Sequence, residues 1–159
     1  MQMNYFEIGH EFGVINRRTQ VYVTLACKPW HISYSEHVML LTLYSHDGCT
    51  QIELGKLLTA DKALVARNVK LLEEKKLIYR RQDCEDLRFK YIHLTQKAWD
   101  MQREMENIVK RWVTYLLQGV DKKQLEDALE TMSSVAKHAS EVHIEKLVLQ
   151  GKEISHDTQ

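Results

Sequence analysis

The sequence predicts a mainly α fold with one small β-hairpin. Three observations predict it. Apolar residues recur at helical spacing along most of the 159 residues. Two short strand-like stretches, 77–81 and 89–94, flank one polar loop, QDCEDLR. Helix-start signals punctuate the rest: Ser33 with Glu36, Thr50 with Glu53, and Asp61 and Asp121 ahead of apolar runs. The length fits one domain, or one domain with a helical extension, and can bury a real core.

From Met1 to about Lys28, Tyr5, Ile8, Phe12, Ile15, Tyr22 and Ala26 keep the helical rhythm, slightly weakened by Gly9 and Gly13. Pro29 ends it, because its ring disfavours α conformation at Lys28. A stripe this exposed in a small protein needs cover, and a second copy of the chain is the obvious candidate. Residues 28–32 form a connection. Ser33 and Glu36 then make a capping box for a helix to about Ser45, mostly buried through Val38, Leu40, Leu41, Leu43 and Tyr44. His46-Asp47-Gly48 stops it.

The stretch from Thr50 to Thr95 organises the chain. Thr50 and Glu53 cap a short helix whose apolar face is Leu54, Leu57 and Leu58. Thr59-Ala60-Asp61 is a tight turn, and Asp61 caps the next helix, Lys62 to Lys75. Val65, Val69 and Leu72 share one side of that helix. Lys62, Ala63, Ala66, Arg67 and Lys70 share the other, which is small, basic and not needed for a core. Two helices joined this way read as a helix-turn-helix, whose second helix enters the major groove. Arg67 has the fork of donors that suits guanine O6 and N7, and the alanines allow close approach or contact with a thymine methyl. Lys62 and Lys70 suit phosphates. A merely solvated basic face is the competing interpretation.

The hairpin weighs against that bland interpretation. Placed directly after a recognition helix, it is a wing, and its tip can reach the minor groove, where negative potential attracts arginine. Arg88 is the expected tip contact. Asp86 is expected to pair with and aim an arginine, since phosphate repels a carboxylate. Arg80, Arg81 and Lys90 are further phosphate candidates.

After the wing, Thr95 caps a long helix, Gln96 to Gln118, with the stripe Ala98, Met101, Met105, Ile108, Trp112 and Tyr115 and with Gly119 as a natural stop. A last helix starts at Asp121 and runs through Leu125, Leu129, Met132 and Ala139 to about Leu149. The expected organisation is an N-terminal helix and linker (1–32), a winged helix-turn-helix domain (33–95), C-terminal helices (96–150) and a polar tail (151–159). The flanking helices carry more apolar surface than a monomer hides. A two-fold dimer would present two recognition helices to half-sites about one helical turn apart, so the DNA site should be a rough palindrome.

These residues together resemble the MarR family of winged-helix transcriptional regulators. The resemblance runs through Leu54-x-x-x-Leu58, the Lys62–Lys75 helix with Arg67, and Asp86-Leu87-Arg88 followed by His93-Leu94-Thr95. It implies a dimeric DNA-binding regulator, a repressor relieved by a small effector, with Arg67 and Arg88 as DNA contacts and the N- and C-terminal helices as dimerisation helices. It also implies a cleft for small aromatic or phenolic anions, for which Trp30, His31, Tyr34 and His37 are the candidates; ordinary core and linker is the alternative. Lys76 departs from the family, which usually ends the recognition helix with glycine in the left-handed region.

Composition bounds the alternatives. The net charge is zero, but Lys62 to Lys90 holds nine Lys or Arg against five Asp or Glu, and a local positive stripe is the relevant footprint. Three dispersed cysteines give no disulfide framework. No apolar run would span a bilayer and no secretory signal is visible, so a cytoplasmic protein without membrane contact is expected. Cys27 with Glu36-His37 resembles part of the family's zinc-sensing branch, but 96–118 lacks the histidines that branch uses. His138, Glu141, His143 and Glu145 are a second cluster, read more simply as solvated surface. Cys27 also sits where peroxide-sensing relatives carry a reactive cysteine, and Cys84 lies in the wing; an inert buried thiol is the plainer reading of Cys27. No metal or cofactor is expected. Gly-rich phosphate loops, Gly-x-Ser-x-Gly and HExxH are absent, which argues against an enzyme. The remaining alternatives are a redox- or metal-sensing regulator of the same fold, or a winged-helix module that binds protein instead of DNA.

Overall fold

The structure, a computed structural model, describes residues 4–84, 86 and 89–149. It is mainly helical, with six α-helices and one small antiparallel sheet among the described residues. Helix α1 (Tyr5–Ala26) starts where the Asn4 Oδ1 accepts from the Glu7 amide at 3.2 Å. A 3₁₀ turn, Lys28–Trp30, carries Pro29 and leads to α2 (Tyr34–Ser45). Strand β1 (Cys49–Thr50), α3 (Gln51–Leu58) and α4 (Lys62–Glu74) follow. The wing is β2 (Ile78–Gln82) and β3 (Lys90–Leu94), ahead of α5 (Gln96–Leu116) and α6 (Lys122–Glu141).

Both predicted capping boxes are present, at Ser33/Glu36 and Thr50/Glu53. The strands begin one residue later than the sequence predicts. The sheet is also larger than a hairpin: its order is β1-β3-β2, with Cys49 opposite Ile92 and Thr50 opposite Tyr91. Asp47 and Gly48 bring β1 there. Asp47 accepts from the Leu94 amide at 2.6 Å, and Gly48, at φ +82, donates to the Ile92 carbonyl at 2.8 Å. A Cβ at Gly48 would lie 3.1 Å from the His93 ring, so glycine serves both the turn and the close approach.

The described residues fall into two compact units that divide after Leu116. In the first, α2 is central and buries Met39, Leu40 and Leu43. Around it lie Leu54 of α3, Val65, Val69 and Leu72 of α4, Ile78, Ile92 and Leu94 of the sheet, and Ala98, Met105 and Ile108 of α5. Each such aliphatic side chain contributes roughly 1.5–3 kcal/mol on burial. Helix α1 packs on α5, where Tyr22 stacks on Trp112 at 4.8 Å and the Trp112 indole N–H donates to the Thr19 hydroxyl at 2.8 Å. Its Tyr5, Phe6, Ile8, Phe12 and Ile15 stay exposed.

In the second unit, Asp121 caps α6, and Leu129, Met132 and Val135 are exposed. The sequence predicts one helix to about Leu149. Instead the chain turns extended at Val142 (ψ 135), and helical turns resume over 144–149. No helix among the described residues is long and apolar enough to cross a membrane.

Candidate nucleic-acid interface

The helix-turn-helix is α3, its turn and α4. Thr59 ends α3 in the left-handed region at φ 48, and Ala60 donates back to the Gly55 carbonyl at 3.1 Å. A β-branched residue there is strained, because its Cβ crowds the backbone. The geometry is therefore imposed by the surrounding packing. Asp61 Oδ1 then accepts from the Leu64 amide at 2.8 Å and starts α4.

Helix α4 divides by face as predicted. Val65, Asn68, Val69 and Leu72 are buried, and Lys62, Ala63, Ala66, Arg67 and Lys70 are all exposed. Lys70 approaches Glu74 at 3.9 Å, one turn on. Arg67 enters no ion pair or hydrogen bond among those described, so its guanidinium is free to meet a ligand. Asn68 is the exception to the apolar inner face: it is 3% exposed and its Oδ1 lacks a hydrogen-bond partner.

Lys76 sits at φ 57, so a lysine adopts the left-handed position that glycine usually fills. Around it, the Leu77 amide reaches the Leu72 carbonyl and the Lys76 amide the Glu73 carbonyl, both at 2.9 Å. Leu72 and Leu77 are both buried, adding the apolar contact that accompanies this helix end.

Lys75 anchors the rear of α4. Its ammonium donates to the buried Glu36 carboxylate of α2 and to the His31 carbonyl at 2.6 Å. Ser33 adds two bonds to the same carboxylate, from its amide at 2.8 Å and its hydroxyl at 2.7 Å. Burial alone would push the Glu36 carboxyl up; the Lys75 and Ser33 bonds prevail and hold it below the ordinary range. Lys97 of α5 donates to the Lys75 carbonyl at 3.0 Å. The recognition helix is thus tied to the linker, α2 and α5 at one residue. Glu36 reads from sequence as a helix cap; nothing local marks it as the partner of a lysine 39 residues away.

Among the wing candidates, Arg81 and Lys90 are exposed. Arg80 differs from expectation. Its guanidinium is engaged by Glu73 of α4, at 3.2 and 2.5 Å, and this bond holds the Glu73 carboxyl below its ordinary range. The pair fastens β2 to the recognition helix, which removes Arg80 from the set of free phosphate donors. Asp86 is half-buried, with its amide donating to Asp83 Oδ1 at 2.9 Å. Arg88, the expected minor-groove contact, lies outside the described residues.

The four expected effector residues do not converge on one cleft. Trp30 is half-buried against the core, His31 is exposed at the end of the 3₁₀ turn (φ 55), and Tyr34 is half-buried at the start of α2. His37 is a correction. It is 1% exposed, and its Nε2 bonds the Met105 carbonyl of α5 at 3.0 Å. Burial lowers its pKa, so the neutral ring donates to that carbonyl as a core strut between α2 and α5.

Cys27 is fully buried, and burial pushes its thiol up to about 11. That is the opposite of an activated thiolate. Cys84 is exposed. No three His, Cys, Asp or Glu side chains among the described residues are grouped to hold a metal. The break at Val142 also takes His143 and Glu145 off the helical register that His138 and Glu141 share.

Capped helix, strained turn, helix with one basic exposed face and strand pair together define a winged helix-turn-helix protein. Residues 32–90 match the MarR family model. A MarR transcriptional regulator from Methanosarcina mazei Go1 superposes with a TM-score of 0.77 at 25% identity, covering 83% of this chain and 95% of that one. The transcriptional regulator SlyA gives 0.81 at 23% identity, covering 84% and 94%. The MepR–DNA complex of S. aureus gives 0.77 at 23%, covering 86% and 99%. The chain is a MarR-family winged-helix protein. Its fold is that of transcription regulators and not of enzymes.

Proposed function

We propose that this protein is a sequence-specific, dimeric DNA-binding regulator, acting in the cytoplasm as a repressor whose grip is altered by a small effector. One observation carries the proposal: the outer face of α4 presents Lys62, Ala63, Ala66, Arg67 and Lys70 to solvent, next to a wing bearing Arg81 and Lys90. Arg67 reads base edges in the major groove. Lys62, Lys70, Arg81 and Lys90 meet phosphates, and Arg88 enters the minor groove. MepR and the E. coli protein MarR were both solved on DNA, the latter on operator DNA, which supports the same role for this fold here.

Dimerisation rests on apolar surface. Tyr5, Phe6 and Phe12 of α1 and, in the second unit, Leu129, Met132 and Val135 of α6 are exposed. Water penalises such surface, and a second copy would cover it. Two copies would present two recognition helices, and hence favour a palindromic site.

The test is Arg67→Ala on a selected site. A bidentate arginine–guanine contact predicts a loss of about 1–3 kcal/mol in binding and relaxed preference at one base position. The unaltered protein should lose affinity steeply with added salt, as several phosphate contacts require. Affinity unchanged by the substitution and flat with salt would instead favour a module that binds protein.

A further inference from the structure

A cavity of about 240 Å³ lies between α2, the turn and α4. Tyr34, Val38 and Met39 face it from α2, Ala60 from the turn, and Leu64 and Asn68 from α4. None of its lining residues is charged. Asn68 gives it a polar point: the side chain is buried, and its Oδ1 has no hydrogen-bond partner, the one such atom among the described residues. A buried amide oxygen without a donor is unfavourable and is normally satisfied by something. Its neighbours on the same helix face, Val65, Val69 and Leu72, are apolar, so packing alone does not call for an amide there.

We propose that this cavity binds one small, neutral aromatic molecule carrying a single O–H or N–H donor, which Asn68 Oδ1 accepts. Size limits the ligand to about one ring: a cavity of roughly 150 Å³ can hold benzene, and sites for larger ligands start at about 300 Å³. Charge limits it further. An anion entering here would shed water with no cation to compensate, so the neutral form binds. This departs from the anionic effectors that the family resemblance implies, and it places the ligand against the buried side of the recognition helix. That occupancy alters DNA contact rests on the regulatory role proposed above; the binding itself does not.

The experiment uses the full chain, labelled for amide NMR and titrated with phenol, toluene and benzoate without DNA. Phenol should perturb residues around the cavity and bind about tenfold tighter than toluene, the worth of one hydrogen bond to an otherwise unpaired group. Benzoate should leave these residues unperturbed. Asn68→Leu keeps the volume and removes the acceptor, so it should abolish the preference for phenol over toluene. Ala60→Leu, which fills the cavity, should abolish binding of both while circular dichroism shows the native helix content. Equal binding of phenol and toluene to the unaltered chain, an undiminished preference in Asn68→Leu, or perturbations only elsewhere would overturn the proposal. Phenol binding at the cavity by a chain that ignores every duplex would sink the regulatory role and leave this site standing.

Discussion

Lys75→Met should destabilise the protein by about 2–3 kcal/mol. Glu36 is 2% exposed, so its carboxylate has little water to turn to once the ammonium is gone. Methionine keeps the aliphatic stem, which confines the change to the charge and its bonds. Removing one partner of a buried ion pair costs about 3–5 kcal/mol. Two features lower that here. The Ser33 amide and hydroxyl still bond the carboxylate, and the Lys75 side chain is 27% exposed, so its ammonium begins partly solvated. At about 2–4 °C per kcal/mol for a chain of this size, Tm should fall by about 5–10 °C. Urea unfolding at one fixed protein concentration is the assay, since association would otherwise change the midpoint. In a cycle with Glu36→Gln, the two losses should overlap by about 1 kcal/mol or more. The effect has a definite pH sign. A carboxyl held low by its partners stabilises the fold above its unfolded pKa of about 4.3, and that contribution fades as pH falls through the folded value. The gap between wild type and Lys75→Met should therefore narrow in acid. A loss under about 0.5 kcal/mol, additive with Glu36→Gln and unchanged between neutral and acid pH, would refute the reasoning.

Further expectations follow from strain and burial. Thr59→Gly should stabilise by about 0.5–1 kcal/mol, because relief of the left-handed strain exceeds glycine's added entropy in the unfolded chain; a lower urea midpoint would contradict this. His37 stays neutral in the fold, so below about pH 6.5 the unfolded chain gains a proton that the folded one refuses, and stability falls. His37→Gln should flatten the dependence of unfolding free energy on pH between about 5 and 6.5; an unchanged slope would place the titration elsewhere. With its thiol pushed up to about 11, Cys27 should resist a maleimide under native conditions while exposed Cys84 reacts. Mass spectrometry of the labelled chain distinguishes them, and early labelling of Cys27 would revive a redox role.

What the sequence made legible was local. Ser33/Glu36 and Thr50/Glu53 announce their helices within four residues, and Asp61 and Asp121 do the same. The two faces of α4 follow from a spacing within one helix. What it hid depends on distant partners. Strand β1 has only two residues, and it is a strand because β3 runs beside it. His37 looks like a cleft residue until the Met105 carbonyl of α5 is brought to it. Arg80 resembles a phosphate ligand until Glu73 is seen across the gap between α4 and β2. Asn68 carries a polar label on a face the fold buries, and no neighbour in sequence predicts its unpaired oxygen. Thr59 and Lys76 take conformations that their own residue types disfavour, so tertiary packing overrides local preference there. At Val142 the last helix breaks without glycine or proline, and we have no physical account of it.

The central claim is that paired copies of this chain read DNA through the exposed face of α4. The most direct measurement is selection of bound duplexes from a random pool by the full-length protein, with the stoichiometry of the recovered complex. The account predicts an enriched palindrome with half-sites about one helical turn apart and two chains on each duplex. Recovery of no preferred sequence at low salt, or of an asymmetric site holding a single chain, would contradict it.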